Sequence, residues 1–244
     1  MCSTPEDLIL KGVDTIAIDL ETYDPYLKSK GSGALRGEGF VCGIAVSTSK
    51  QTLYFPIAHS SGNLDPDKSW KILDKKVFQN EKITKVFHNA MYDICWIRAV
   101  TGKKMKGRIV DTMIAASVLD ENKLKYSLDA LAKEYLKETK YKYDLQHKTL
   151  EWSGGLLKDP MTNMHKLPAS VVTEYAEQDV KLTLKLWNIF NTELDKVLYV
   201  SDTGEKKTCR KIFELETKLF PCLIDMKFKA VSYTHLTLPT NREV

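Results

Sequence analysis

The sequence predicts an α/β domain built on a mixed five-stranded sheet flanked by helices. Three observations lead there. Three β-branched runs come first, two of them joined by a tight turn. Strands and helices then alternate along the chain, and a long amphipathic segment follows them.

Val13 to Leu20 reads as a buried strand. With a period of two, Ile16, Ile18 and Leu20 share one face, while Ala17, Asp19 and Glu21 share the other. Two acids therefore leave the strand together at its carboxyl end, where active sites of α/β sheets gather. Tyr23 to Gly39 reads as a loop rich in Gly, Ser and Lys. Its Gly31-Ser-Gly33 turn has Arg36 where a dinucleotide site needs a third glycine, and it leads into a strand, so that reading is rejected. Phe40 to Ser47 and Gln51 to Pro56 form an antiparallel hairpin in this reading. A helix follows over about Asp67 to Gln79, and Ile83 to Phe87 is a fourth strand. Asn89 is read as the cap of a helix running from Ala90 to about Val100. Lys106 to Val110 is the fifth strand, with Asp111 capping a helix that ends near Leu119. Leu128 to Tyr135 is a further helix, Tyr141 to Lys166 is mostly irregular around Trp152, and Pro168 opens a long helix reaching about Val197.

At 244 residues the chain suits one domain, or one domain and part of a second. Its net charge of +4 permits a nucleic-acid partner without arguing for one. The lysines at Lys103, Lys104 and Lys106, and at Lys137, Lys140 and Lys142 with tyrosines between them, suit a solvated face or a surface that holds phosphates. No apolar run approaches membrane-spanning length, and the N-terminus lacks a signal-peptide pattern, so a chain that is not secreted is expected. The five cysteines (Cys2, Cys42, Cys95, Cys209, Cys222) are scattered, which favours free thiols over disulfides or zinc. Val231 to Val244 breaks the preceding pattern and reads like a translated library adapter. It is set aside as a non-native tail, which implies a natural chain continuing past Ala230.

The chemistry rests on three short motifs: Asp19-Leu-Glu21, Asn89-Ala-Met-Tyr-Asp93 and Tyr175-Ala-Glu-Gln-Asp179. Taken singly, each has an ordinary reading: a solvated strand end, a helix-dipole partner, a carboxylate bonded to a nearby lysine. In the last helix Val172, Tyr175, Asp179, Leu182, Leu186 and Ile189 recur at three- and four-residue steps, so Asp179 falls on an apolar stripe where it needs a partner. Together the acids can meet at one mouth, where they repel unless cations intervene. Hard oxygen donors favour Mg²⁺ or Mn²⁺ over zinc. Two such cations can stabilise the attacking and leaving oxygens of a phosphodiester. Tyr175, one helical turn before Asp179, can reach the same mouth.

These residues resemble the Asp-Glu-Asp-Asp 3'-5' exonucleases whose third motif is Tyr-x-x-x-Asp. More narrowly, Phe87-His-Asn-Ala-Met-Tyr-Asp93 and Lys166-Leu-Pro-Ala-Ser-Val-Val-Thr-Glu-Tyr-Ala-Glu-Gln-Asp179 resemble the proofreading domain of family A DNA polymerases, phage-encoded ones in particular. The resemblance implies a ribonuclease H-like fold and an exonuclease domain over residues 1–200. Residues 201–230 would begin the connection to a polymerase domain, the stretch from Phe213 to Met226 resembling its entry, and 231–244 would be the tail. It implies Asp19 bridging two divalent cations, Glu21 and Asp179 completing the tighter site, Asp93 holding the second cation and Tyr175 positioning water. Thr22, His88, Asn89 and Tyr92 would contact the 3'-terminal nucleotides of single-stranded or frayed DNA. A monomer acting in a bacterial or phage-infected cytoplasm follows from the same likeness. An RNA exonuclease of the superfamily and an idle DNA-binding domain are the competing readings. Trp96, Trp187 and Cys95 read as core, Trp152 is undecided, and His59, His147 and His165 lack ligand spacing.

Overall fold

The computed structural model describes residues 3–139, 142–203 and 205–236. Five strands, β1 (Thr15–Tyr23), β2 (Phe40–Ser47), β3 (Thr52–Pro56), β4 (Thr84–Phe87) and β5 (Ile109–Asp111), lie in the order β3-β2-β1-β4-β5. β1, β2 and β3 pair antiparallel, while β4 and β5 run parallel to β1, which is the mixed sheet expected. The helices are α1 (Leu27–Lys30), α2 (Pro66–Leu73), α3 (Ala90–Thr101), α4 (Thr112–Leu119), α5 (Leu128–Leu131), α6 (Lys142–Trp152), α7 (Ala169–Glu193) and α8 (Arg210–Leu236). α2 and α5 each widen into a π-type turn. A small hairpin, β6 (Val197–Val200) and β7 (Lys206–Thr208), separates α7 from α8.

The alternation along β1 divides the core. Ile16, Ile18 and Leu20 pack with Val46, Phe55 and Phe87 under α2 and α3. Ala17 faces the other way, with Ala45, Val86 and Val110, under α4, α5 and α7. Small residues on that face let α7 lie close against β1 and β2. Gly43 is part of the same economy: a Cβ there would fall 2.0 Å from the Tyr54 hydroxyl. α8 joins both layers, with Phe213 in one cluster and Phe220 and Ile224 in the other. It lies beside the edge strand β5, which it covers. Arg98 and Lys104 both bind Asp225, at 2.6 and 2.5 Å, and Arg108 pairs with Glu214.

Several local expectations are corrected. Asn89 stands at the cap position before α3 in the left-handed conformation (φ 66°), and its side chain makes no cap hydrogen bond. Asp111 takes over: its carboxylate accepts from the amides of Asn89 (3.0 Å), Ala90 (2.8 Å) and Met113 (2.8 Å), so one side chain starts both α3 and α4. The stretch from 141 to 166 contains α6, whose buried positions among the described side chains are Leu145 and Thr149, too few to print an apolar stripe. Pro168 stands just before α7 rather than at its first turn, and α7 stops at Glu193. On its buried stripe Phe190 is fully buried where Ile189 was expected. The first residues of the suspected tail, 231–236, continue α8; residues 237–244, like Cys2 and Lys140, lie outside the described residues. Trp96, Trp187 and Cys95 are buried, and Cys42, Cys95, Cys209 and Cys222 are free thiols.

Asp111→Ala removes the acceptor for three helix-start amides. It is expected to lower the unfolding free energy by about 2 kcal/mol or more, since one cap is worth about 1 kcal/mol. Urea denaturation checks this; an unchanged midpoint would refute the shared cap.

Candidate metal centre and adjoining cleft

Asp19 and Glu21 project from the same face of β1 as Ala17, toward α7. There Asp179 comes down from the buried stripe of that helix. One carboxylate oxygen from each of the three lies within 4.8 Å of the others. Asp179 and Glu21 are buried and Asp19 is half-buried. Among the described residues this is the one cluster of at least three metal-ligating side chains.

Asp93 is not one of that trio, but the charge of Asp19 acts on it. It stands in the first turn of α3, and its Oδ1 accepts from the Leu20 amide at 3.1 Å, between the two β1 acids in sequence. Burial and then the charge of Asp19 push its carboxyl well above the usual carboxylate range. Tyr175, one turn before Asp179, donates to Met161 Sδ at 3.8 Å. Burial first, then the negative charge of Asp179, Glu21 and Asp19, raise its phenol far above the ordinary value. It therefore stays protonated, a donor and not a base. Tyr54, buried against Gly43, is raised by the same causes, burial first and Glu21 next.

The donor set fits a hard divalent cation. Oxygens held at about 2.1 Å from such an ion stand about 3 to 4 Å apart, so small side-chain shifts would bring the trio into range. Carboxylates alone, with neither thiolate nor imidazole in the set, favour Mg²⁺ or Mn²⁺.

Next to the acids opens a cleft of about 460 Å³, between the loop that follows β1 and the segment 159–164. Glu21, Thr22, Tyr23, Tyr92, Met161 and Met164 are among its walls. The register of β1 against β2 shifts between Glu21 and Thr22, with Cys42 as the extra residue, at the point where the acids give way to the cleft. Thr22 and Tyr92 share a 2.6 Å hydrogen bond, and the Tyr92 hydroxyl also donates to Asp24 at 3.3 Å. Burial pushes the Tyr92 phenol up to about 12. The structure thus brings together Asp19, Glu21, Asp93, Tyr175 and Asp179, and places Thr22 and Tyr92 in the cleft beside them. His88 and Asn89 lie between β4 and α3, outside the cleft lining: His88 Nδ1 meets Oγ1 of Thr112, the first residue of α4, at 2.9 Å. Met161 and Met164 were invisible in the sequence because their segment carries no periodic pattern.

A family model described as a 3'-5' exonuclease, that of DNA polymerase A, matches residues 2–195. DNA polymerase DpoZ of Acinetobacter phage SH-Ab 15497 is 30% identical over 148 residues, 60% of this chain and 22% of that protein. The DNA-directed DNA polymerase of Pseudomonas phage M6 is 27% identical over 227 residues, 91% of this chain and 32% of its own length. This chain therefore spans between 22% and 32% of these two relatives. Brucella melitensis NrnC with bound Mg²⁺ superposes with a TM-score of 0.52 at 16% identity, over 95% of this chain and 92% of NrnC. The catalytic core of RRP6 from Trypanosoma brucei gives 0.59 at 22% identity, over 91% and 52%. RNase D of Trypanosoma brucei in complex with RNA U12 gives 0.57 at 19%, over 87% and 63%. The fold shared with these structures is the ribonuclease H-like one.

The raised Asp93 carboxyl holds its proton more tightly in the folded than in the unfolded protein. Its contribution to metal-free stability is therefore lost as pH rises from the ordinary carboxylate range through the raised value, and Asp111, raised by burial, adds the same sign. The lowered His59, His165 and Lys85 act with the opposite sign, so the Asp93 share is read against Asp93→Asn. On going from about pH 5 to about pH 8 metal-free wild type is expected to lose more melting temperature, or gain less, than that variant, with added Mg²⁺ or Mn²⁺ recovering more at the higher pH. Asp93→Asn should lessen that recovery. Melting temperatures indifferent to cation at either pH would rule the metal centre out.

Proposed function

The chain belongs to the 3'-5' exonuclease family of DNA polymerase A, and on that premise we propose that it removes nucleotides from DNA 3' ends by metal-assisted hydrolysis. The observation that carries the proposal is the meeting of Asp19, Glu21 and Asp179 at the wall of a nucleotide-sized cleft, with Asp93 and Tyr175 at their sides. In this reading water adds to the terminal phosphodiester in line with the departing 3'-oxygen. The P–O bond to that oxygen breaks, a 5'-monophosphate leaves and the shortened strand regains its 3'-hydroxyl.

Asp19, Glu21 and Asp179 would hold one divalent cation, and Asp19 with Asp93 a second. When bound, the two cations would stabilise the attacking and leaving oxygens. Tyr175, kept neutral by burial, would orient the attacking water through its hydroxyl. Thr22 and Tyr92, joined by their hydrogen bond, would face the sugar of the terminal nucleotide from the cleft wall. His88 and Asn89, just before α3, would reach the strand only beyond that nucleotide. The greater length of the polymerase relatives supports a polymerase domain as the natural partner. No helix among the described residues is long and apolar enough to cross a membrane.

RNA is the second reading, because the fold is shared with an RNase D solved with RNA. DNA is preferred because the sequence relatives are DNA polymerases. An idle DNA-binding domain is the third; intact acids and Tyr175 argue against it.

With Mg²⁺ and 3'-labelled single strands, Asp19→Ala and Asp179→Ala should each lose more than about 100-fold in rate, the upper range for losing a mere outer partner of a metal ligand. Tyr175→Phe should lose about 100-fold while keeping the cation-dependent rise in melting temperature. Activity surviving both acid substitutions would sink the proposal, and faster loss of RNA than of matched DNA would move it to the second reading.

A further inference from the structure

The row of side chains on the α7 face of β1 does not end with its acids. Two residues beyond Glu21, about 7 Å along the strand, stands Tyr23, which lines the cleft. Its ring meets His165 at 4.1 Å and Phe40 at 5.3 Å, and Phe40 meets His165 edge-on at 5.9 Å. Three aromatic rings from three segments thus form one group, with Tyr23 in the cleft wall and Phe40 in the wall of a neighbouring hollow: the end of β1, the start of β2 and the short turn Met164–Lys166.

This group is not core. None of the three rings belongs to either apolar cluster of the protein, and Phe40 is 39% exposed. The backbone makes a costly arrangement to put it there. Gly39 takes a φ of 89°, and a Cβ on it would fall 2.1 Å from the Tyr23 carbonyl, so only glycine lets Phe40 pair directly across from Tyr23. Burial and the neighbouring Lys166 hold the His165 imidazole below its usual range, so it offers a neutral ring. Two exposed lysines accompany the rings, Lys28 in the cleft wall and Lys166 next to His165. Of the acids in that wall, Glu21 belongs to the metal-ligating trio, Asp24 accepts from the Gly33 amide at 2.9 Å and Asp159 from the Met161 amide at 3.0 Å. Exposed rings flanked by lysines match flat apolar faces strung on a phosphate chain, the chemistry of a single nucleic-acid strand.

We propose that Tyr23, His165 and Phe40 form a stacking platform for a nucleobase of the DNA single strand next to the bond that is cleaved, with Lys28 and Lys166 facing its phosphates. The inference rests on the exonuclease reading and adds to it. The platform grips by ring contact, without reading base edges, and so serves any sequence. It also takes hold of an unpaired strand in preference to a duplex, whose stacked bases keep their faces covered.

The test measures binding of a short single-stranded DNA oligonucleotide in EDTA, which keeps the strand intact, against the same strand carrying one abasic site at each 3'-terminal position in turn. Wild type should lose about ten-fold or more in affinity at one of those positions. Phe40→Ala should bind the intact strand about ten-fold more weakly and become indifferent to that abasic site, because base and ring would contribute the same contact. Phe40→Trp should restore both affinity and sensitivity. Since Phe40 is exposed, its melting temperature should not move; His165→Ala serves as a second variant with the same expected pattern. Unchanged affinity and unchanged abasic sensitivity in both Ala variants would overturn the platform, as would a wild type indifferent to abasic sites at every position. Either result, with wild type still degrading DNA 3' ends in Mg²⁺, leaves the exonuclease reading standing. Absence of that degradation overturns the exonuclease reading and, with it, the platform.

Discussion

Gathering carboxylates in a buried volume is the constraint around which this fold is arranged. Glu21, Asp93 and Asp179 are all nearly out of solvent, and burial with the charge of Asp19 raises the Asp93 carboxyl above its usual range. Left to themselves, such groups would move apart or stay protonated. They are held by elements that cannot move independently. β1 is the central strand, paired on both sides; α7 lies on its small-residue face; and the first turn of α3 is tied down twice, by the Leu20 amide on Asp93 and by Asp111. The energy of the apolar layers is thus used to hold like charges where a cation can join them.

That division of labour explains what the sequence made legible. The β1 alternation and the α7 stripe are short-period patterns, so Asp19, Glu21, Tyr175 and Asp179 could be assigned to facing surfaces from spacing alone. The mixed character of the sheet followed from a hairpin and the later alternation of strands and helices. What escaped depends on contacts far along the chain. Asp111 reads as the cap of one helix, and nothing local reveals that it also starts α3, more than twenty residues earlier. Asn89, a favoured cap residue, is used instead for its tolerance of the left-handed region. α6 escaped because, among its described side chains, only Leu145 and Thr149 turn inward, and Met161 and Met164 because a cleft wall has no period.

The cleft brings two kinds of recognition side by side along one strand of the sheet. Ala17, Asp19, Glu21 and Tyr23 follow each other on one face, passing from packing to charge to an aromatic ring. A phosphodiester strand presents a matching alternation of charge and flat base, and in the exonuclease reading it lies along this row. The shift in register at Glu21 marks the change from the charged stretch to the aromatic one.

The two ends of the sheet treat buried charge in opposite ways, and the contrast identifies the working end. At the start of β4, Lys85 is fully buried, and burial lowers its ammonium to about 8. The protein answers it from within, with the carbonyls of Asn80 and Lys106, so that end is complete and needs no ligand. At the carboxyl end of β1 the same sheet gathers negative charge. For Asp93 the two largest influences, burial and Asp19, both oppose ionisation, against hydrogen bonds from two backbone amides. A buried cation satisfied by its own backbone is architecture. Buried acids that disfavour one another's ionisation make a place where added positive charge stabilises the folded protein, and a divalent cation is the group whose charge and oxygen preference meet that demand.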